Sequence, residues 1–340
     1  FQAKLGSIGD KVRRVGALAA TLAPQVGADG ALVARAAELC KCDLLSAMVG
    51  EFPELQGTMG AYHAAADGEP AEVVAAIREH YQPRGAGDAL PVTATGTTLA
   101  LADRLDTLAG IFGIGQKPSG TKDPFALRRA AIGVLRILLE QRRDLDIGAL
   151  AHAAVALQPV KTATTADEVR EFILERLRAH ALEAGHPSEA FDAVLASGST
   201  RPLDLMARLE ALAAFRRLPE AEALAAANKR IANILRKSDD GDAGAASAPR
   251  VDPARLTVEA ERLLHRELEA MAPEVDAALA AGRYNDALSR LAGLRPAVDA
   301  FFTEVMVNDP DPALRTNRLA LVSRVREMFS GVADLSRLPG

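Results

Sequence analysis

The chain has 340 residues, 49% of them hydrophobic and 25% charged, and a formal net charge of −5. That length suits two or three domains with real cores. The acidic balance excludes nucleic-acid binding through bulk positive charge, the 4% aromatic content without Trp excludes a broad base-stacking platform, and two cysteines exclude a disulfide framework or an all-cysteine zinc site.

The chain opens at Phe1 inside an amphipathic stretch and reads as a piece of something longer. No apolar run approaches 18 residues and there is no signal-peptide layout, so no membrane is expected. Cys40 and Cys42, two apart on a predicted helix, point to different faces and suit a reducing, cytoplasmic setting. Ala, Leu, Glu and Arg dominate and β-alternation is absent, which predicts an all-α fold. Helices are predicted at 10–24, 30–47, 71–81, 95–110, 124–140, 167–184, 202–215, 217–236, 253–271, 273–281, 283–306 and 312–334. Asp123-Pro124 and Asp252-Pro253 read as caps before a first-turn proline. Gly30, Gly185, Gly282 and Gly293 read as helix ends. Ser238–Ala248 (SDDGDAGAASA) has no large apolar residue and reads as a flexible linker. A weaker boundary falls near 144–165.

Leu32, Ala36, Leu39 and Cys40 form an apolar stripe that Asp43 extends. A carboxylate on such a face needs a partner: a metal or phosphate-chemistry role on one reading, a tie to a helix end or an arginine on the other. Asp103 and Asp106 sit three apart on one helix face and either join Asp43 around a divalent cation, or form a solvated face or a pairing with Arg104. The six histidines fit no zinc spacing.

The stretch 110–131, GIFGIGQKPSGTKDPFALRRAA, is glycine-rich and basic and opens a predicted helix. It is not a nucleotide phosphate loop. Gly115-x4-Gly120 is followed by Thr121-Lys122, the reverse of the Lys-Ser/Thr order, and no strand precedes it. Lys117, Lys122, Arg128 and Arg129 beside a helix start read either as an RNA-backbone contact or as a structural turn with solvated cations. After Lys237 every Lys/Arg cation is an arginine. Arg315, Asn317 and Arg318 cluster at the start of a helix whose apolar stripe is Val322, Val325, Phe329 and Val332; Arg318, four before Val322, reads as half-buried, and as an alternative to base reading it pairs with Asp299 or Glu304 on the previous helix. Arginine and asparagine are the side chains that read base edges bidentately.

FQAKLGSIGDKVRR, KCDLLSAMVGEFPELQGTMG, ALADRLDTLAGIFGIGQKPSGTKDPFALRRAAIGVLRILLE and the final AVDAFFTEVMVNDPDPALRTNRLALVSRVREMFSGVADLSRL resemble the β-subunit family of heterotetrameric bacterial glycyl-tRNA synthetases, in its C-terminal part. The resemblance implies an HD-like helical domain at 1–145, a helical middle region at 146–237, a flexible linker at 238–252 and a helical-bundle anticodon-binding domain at 253–340. Cys42-Asp43 stands where such a fold has its His-Asp metal pair, so Asp43 and Asp103 are at most remnants and no metal site or catalytic residue is implied. tRNA(Gly) is the implied partner, met by Lys117, Lys122, Arg128, Arg129, Arg315, Asn317 and Arg318. Aminoacyl transfer, ATP and Mg belong to the alpha subunit of an alpha2beta2 heterotetramer, which leaves no cofactor for this chain. The rival readings are an HD-type divalent-metal phosphohydrolase and a non-catalytic helical scaffold.

Overall fold

The computed structural model describes residues 2–239 and 250–339. Among them the fold is all-α, with two isolated β-bridges, Gln2↔Gly6 and Ser119↔Lys122. The chain divides into two compact units, Phe1–Ala179 with Thr200–Leu203, and His180–Ser199 with Asp204–Gly340. The helices are α1 (Ile8–Val26), α2 (Gly30–Leu39), α3 (Ala47–Glu51), α4 (Thr58–Ala66), α5 (Ala71–Glu79), α6 (Ala94–Gly113), α7 (Leu127–Glu140), α8 (Ile147–Ala156), α9 (Thr165–Glu183), α10 (Ser188–Leu195), α11 (Pro202–Phe215), α12 (Ala221–Asp239), α13 (Glu259–Ala280), α14 (Tyr284–Ala292), α15 (Arg295–Glu304) and α16 (Pro312–Ser330).

In the first unit α6 is the central element, packed by α1, α2, α5, α7 and α8. Its sequence is apolar or small nearly all round, and a helix of that kind belongs inside. Gly133 of α7 allows a close approach: a Cβ there would lie 2.5 Å from Nε of Arg104. In the second unit α13 packs on α14, α15 and α16, and α12 packs on α15, α16 and the 3-10 turn Leu335–Arg337. Its core includes Phe215 and Phe329, whose rings meet edge to face.

Several predicted boundaries move. The helix expected at 30–47 stops at Leu39, and a 3-10 turn (Cys42–Leu45) and α3 follow. Ser46 starts α3 afresh, its Oγ accepting from the N–H of Val49 at 3.2 Å. Gly30 opens α2 rather than ending α1; the terminator is Gly27, in the left-handed conformation at φ +79°. The helix expected from 124 begins at Leu127, and Asp252-Pro253 opens only a 3-10 turn, with α13 starting at Glu259. Pro273 does not divide 253–281 into two helices. The buried stripe Leu264, Leu268, Met271, Val275 and Ala278 runs straight past it, and that burial outweighs the missing N–H bond. The helix expected at 283–306 is broken at Gly293-Leu294. α4, α8 and α10 are additional helices, and α4 (TMGAYHAAA) and α8 (IGALAHAAVA) lack the polar–apolar alternation that marks a helical face. Most of the expected linker, residues 240–249, lies outside the described residues, and Ser238 belongs to the last turn of α12.

Candidate functional site

Asp43 is buried in the 3-10 turn after α2. Its Oδ2 accepts from the backbone N–H of Gly57 at 2.6 Å and of Gly60 at 3.1 Å. Gly57 is the N-cap of α4 at φ +80° and has no side chain to cap with, so Asp43 supplies the missing acceptor from another segment. The carboxylate's charge also lies at the positive end of that helix. A pocket of about 190 Å3 beside it is lined by Arg35, Cys42, Asp43, His63 and Glu69 among others. Arg35 spans to Glu69, with Nε donating to both carboxylate oxygens at 3.1 Å. Among the described residues no three His, Cys, Asp or Glu side chains group as they would around a metal ion.

Asp103 and Asp106 are not on a solvated face, and Arg104 is not their partner. Arg104 and Asp106 are buried and Asp103 is partly so. Lys11 of α1 reaches Asp103 at 3.1 Å and Asp106 at 3.0 Å. Arg14 donates through Nε to Asp106 at 2.7 Å, and Lys41 lies 3.4 Å from Asp103. Burial alone would raise the Asp103 carboxyl, but the charges of Lys11 and Lys41 outweigh it and hold it far below the usual range. Arg104 instead donates to the carbonyls of His80, Tyr81 and Pro83. The cluster therefore ties α1 and the segment after α2 to α6, and its carboxylates are occupied by cations.

The basic loop after α6 is folded on itself. Ser119 and Lys122 exchange backbone hydrogen bonds of 3.1 and 2.9 Å around Gly120. Both oxygens of Asp123 cap α7, accepting from the N–H groups of Leu127 at 2.8 Å and Arg128 at 2.9 Å. The helix start expected to receive an anion is thus already filled by the chain's own carboxylate. The Arg128 guanidinium donates to the Gly120 carbonyl at 2.6 Å, and Lys117 pairs with Glu168 of α9 at 2.7 Å. Lys122 and Arg129 remain exposed, with no side-chain hydrogen bond or ion pair among the described residues. Arg176 of α9 stacks 3.5 Å from the Phe172 ring centre. Burial draws its guanidinium below its ordinary value, Glu175 opposes this, and Arg128 adds a second positive charge nearby. Arg176 could not be associated with the loop by sequence spacing, since α9 begins some forty residues after it.

The cluster at the start of α16 separates into two kinds of residue. Arg315 is half-exposed and donates one N–H to the Asp309 carbonyl at 3.1 Å. Asn317 is buried and closes a two-way bond with the backbone of Asp252, Oδ1 accepting from its N–H at 2.7 Å and Nδ2 donating to its carbonyl at 3.1 Å. Arg318 is buried, with Nε donating to Glu261 and Nη1 to Asp309 at 2.6 Å and to the Met306 carbonyl. The donors of Asn317 and Arg318, expected at base edges, are engaged inside the unit; Arg318 forms an ion pair, its alternative reading, with Glu261 and Asp309 in place of Asp299 or Glu304. The predicted stripe of Val322, Val325, Phe329 and Val332 is buried, the last just beyond the helix end.

Residues 1–196 match the model of the family described as glycyl-tRNA synthetase beta subunit. Residues 224–335 match that of the DALR anticodon binding domain. Among curated proteins the chain is similar to the glycine–tRNA ligase beta subunit of Ectopseudomonas mendocina (strain ymp), 51% identical over 99% of this chain and 49% of the relative. It is likewise similar to that of Pseudomonas aeruginosa (strain UCBPP-PA14), 50% identical, and that of Pseudomonas putida (strain W619), 49% identical, with the same coverage. The chain spans about half the length of the curated relatives it matches.

Proposed function

The chain belongs to the glycyl-tRNA synthetase beta-subunit family, and from that premise we propose that it is a tRNA-recognition part of the enzyme that joins glycine to tRNA(Gly). The observation that carries this reading is the match of 224–335 to an anticodon-binding domain. In it, residues 1–145 correspond to an HD-like helical domain that has Cys42 in place of the first metal ligand. Residues 146–237 form a helical middle region, 238–252 a linker and 253–340 the anticodon-binding helices. ATP, Mg and aminoacyl transfer come with the alpha subunit, in an alpha2beta2 assembly in the cytoplasm. Lys122 and Arg129, together with Lys117 and Arg128, meet the tRNA backbone. Arg315 faces the anticodon loop, where splayed bases are read by planar donors.

A titration of labelled tRNA(Gly) and of an anticodon variant against this chain, at two salt concentrations, tests the reading. Salt-dependent binding of both, tighter for tRNA(Gly), is expected, with Arg315→Ala costing about 1–3 kcal/mol of binding and narrowing the gap between the two RNAs. The purified chain should give no glycine-dependent ATP–pyrophosphate exchange. Failure to bind either RNA would sink the proposal.

A further inference from the structure

We propose that the exposed face of α12 is a track for an RNA sugar-phosphate backbone, separate from the basic loop after α6 and from the start of α16. The inference rests on the tRNA-recognition reading and adds a surface to it. α12 buries Leu224, Ala225, Asn228 and Ile231. At 3.6 residues per turn, Lys229, Arg230, Asn233, Arg236 and Lys237 fall on the opposite side, and all five are exposed. The four cations span about 12 Å of helix, enough to face roughly three successive phosphates of one strand.

Two ordinary explanations fit less well. Arg236 and Lys237 in the last turn complement the negative end of the helix dipole, but that effect fades within a turn and does not reach Lys229 and Arg230. A solvated face of mixed charge is the other explanation. The helices that follow have that pattern, with Arg262 on Glu259, Arg283 on Asp286 and Arg290 on Glu274. α12 departs from it. Between Glu222 and Asp239, which stand at the ends of the helix, residues 223–238 contain no Asp or Glu, and among the residues whose side chains are described none of the four cations has a carboxylate partner. Arg236 has only a 3.4 Å contact to Asn233. The guanidinium of Arg230 is instead held 4.3 Å from the ring centre of Phe302 on α15. Stacking fixes the plane of a guanidinium and leaves its N–H edge for a phosphate. An array of like charges with no carboxylate partner among the described side chains, in a chain of net charge −5, is complementary to a polyanion. Asn233, in the middle of the track, adds an amide donor.

The test changes Lys229, Arg230, Arg236 and Lys237 to Gln in the full chain. Gln keeps the helix propensity of Lys and Arg, and circular dichroism confirms the helix content. Binding of tRNA(Gly) and of its anticodon variant is measured between about 50 and 200 mM salt. The expected result is an equal loss for both RNAs, roughly tenfold or more at the lower salt, with a log–log salt slope shallower by about 0.7–0.9 for each phosphate no longer neutralised. The pair variants Lys229→Gln/Arg230→Gln and Arg236→Gln/Lys237→Gln should each give about half the change in slope, and they decide the matter if the fourfold variant does not fold. Unchanged affinity and slope overturn the track, leave tRNA recognition standing, and turn the face over to an acidic protein partner. A loss confined to tRNA(Gly) also overturns it, since phosphates carry no sequence. Absence of tRNA binding by the unsubstituted chain overturns the track together with the reading beneath it.

Discussion

Arg318 of α16 and Glu261 of α13 form a buried ion pair, 57 residues apart in sequence. Glu261 also accepts from the N–H of Val258 at 2.9 Å, closing the start of α13, while Arg318 reaches on to Asp309. One pair thus fixes where α13 begins and where the turn before α16 is held. Arg318 therefore supports the surface on which Arg315 stands.

Replacing Arg318 with Ala leaves the Glu261 carboxylate uncompensated in the core. Breaking a buried pair from one side costs about 3–5 kcal/mol. Arg318→Ala should therefore lower the denaturant midpoint of unfolding markedly, with any loss of RNA affinity following from the loss of folded protein. A variant that melts like the unsubstituted chain but binds tRNA poorly would return Arg318 to base reading.

His80 gives the first unit an acid sensitivity. Its ring is fully buried, with Nδ1 donating to the Ile77 carbonyl at 2.7 Å and Nε2 accepting from the Lys41 ammonium at 2.8 Å. A carbonyl only accepts and an ammonium only donates, so the folded ring is neutral. Burial, reinforced by the Lys41 charge, holds its pKa well below 6.5. Below about pH 6.5 the unfolded chain takes up a proton that the folded one refuses, so stability falls with pH by about 1.4 kcal/mol per unit for this one group. A second loss begins below about pH 4, where the unfolded chain protonates Asp103 and the folded one does not. Urea unfolding at pH 7.5, 6.0 and 5.0 checks this. His80→Gln should be less stable throughout but lose the one-proton part of the slope between pH 6.5 and 5, and an unchanged slope would count against His80 as its source.

The two acidic motifs show how far the sequence can be read. The stripe that ends on Asp43 indicates an inward carboxylate needing a partner, and a helix end is one of the two partners expected; which helix is hidden, because α4 carries no visible helical face. Asp103 and Asp106 are easily misplaced on solvent because their partners come from far away. Yet Lys11 and Arg14 fall in line with Val15, Leu18 and Leu22 of α1, and charges within an apolar stripe are the available sign of a buried pair. At the final helix the turn, the start and the apolar stripe are all legible. The inward turn of Arg318 is legible from its place four before Val322; its partner and the inward turn of Asn317 are not, since they depend on Glu261 and Asp252, whose distance in sequence hides their closeness.

Asp43→Ala should destabilise the first unit by about 1 kcal/mol, the ordinary value of a helix N-cap. Asp43→Asn retains an acceptor for the N–H groups of Gly57 and Gly60 and should recover most of that loss. Thermal melting of both variants checks it. Equal damage from Ala and Asn would mean that the charge, not the acceptor, matters there, and would point back to an ionic role for the pocket beside it.

The basic loop should respond unequally to single substitutions. Lys117 is paired with Glu168 and Arg128 with the Gly120 carbonyl, so a phosphate must compete with a partner already in place. Lys122 and Arg129 are exposed and face no such competition. Lys122→Ala and Arg129→Ala should each make the log–log salt dependence of tRNA binding shallower by about 0.7–0.9, the effect of leaving one phosphate without its cation. Lys117→Ala should change it less. Arg128→Ala should loosen the loop itself, because its guanidinium holds Gly120, and so should increase proteolysis between Gly115 and Asp123. The four affinities must fall without regard to the anticodon, since phosphates carry no sequence. If Lys122→Ala and Arg129→Ala leave the salt slope untouched while Arg128→Ala alone weakens binding, the loop acts as a brace for α7 and its exposed cations are solvated.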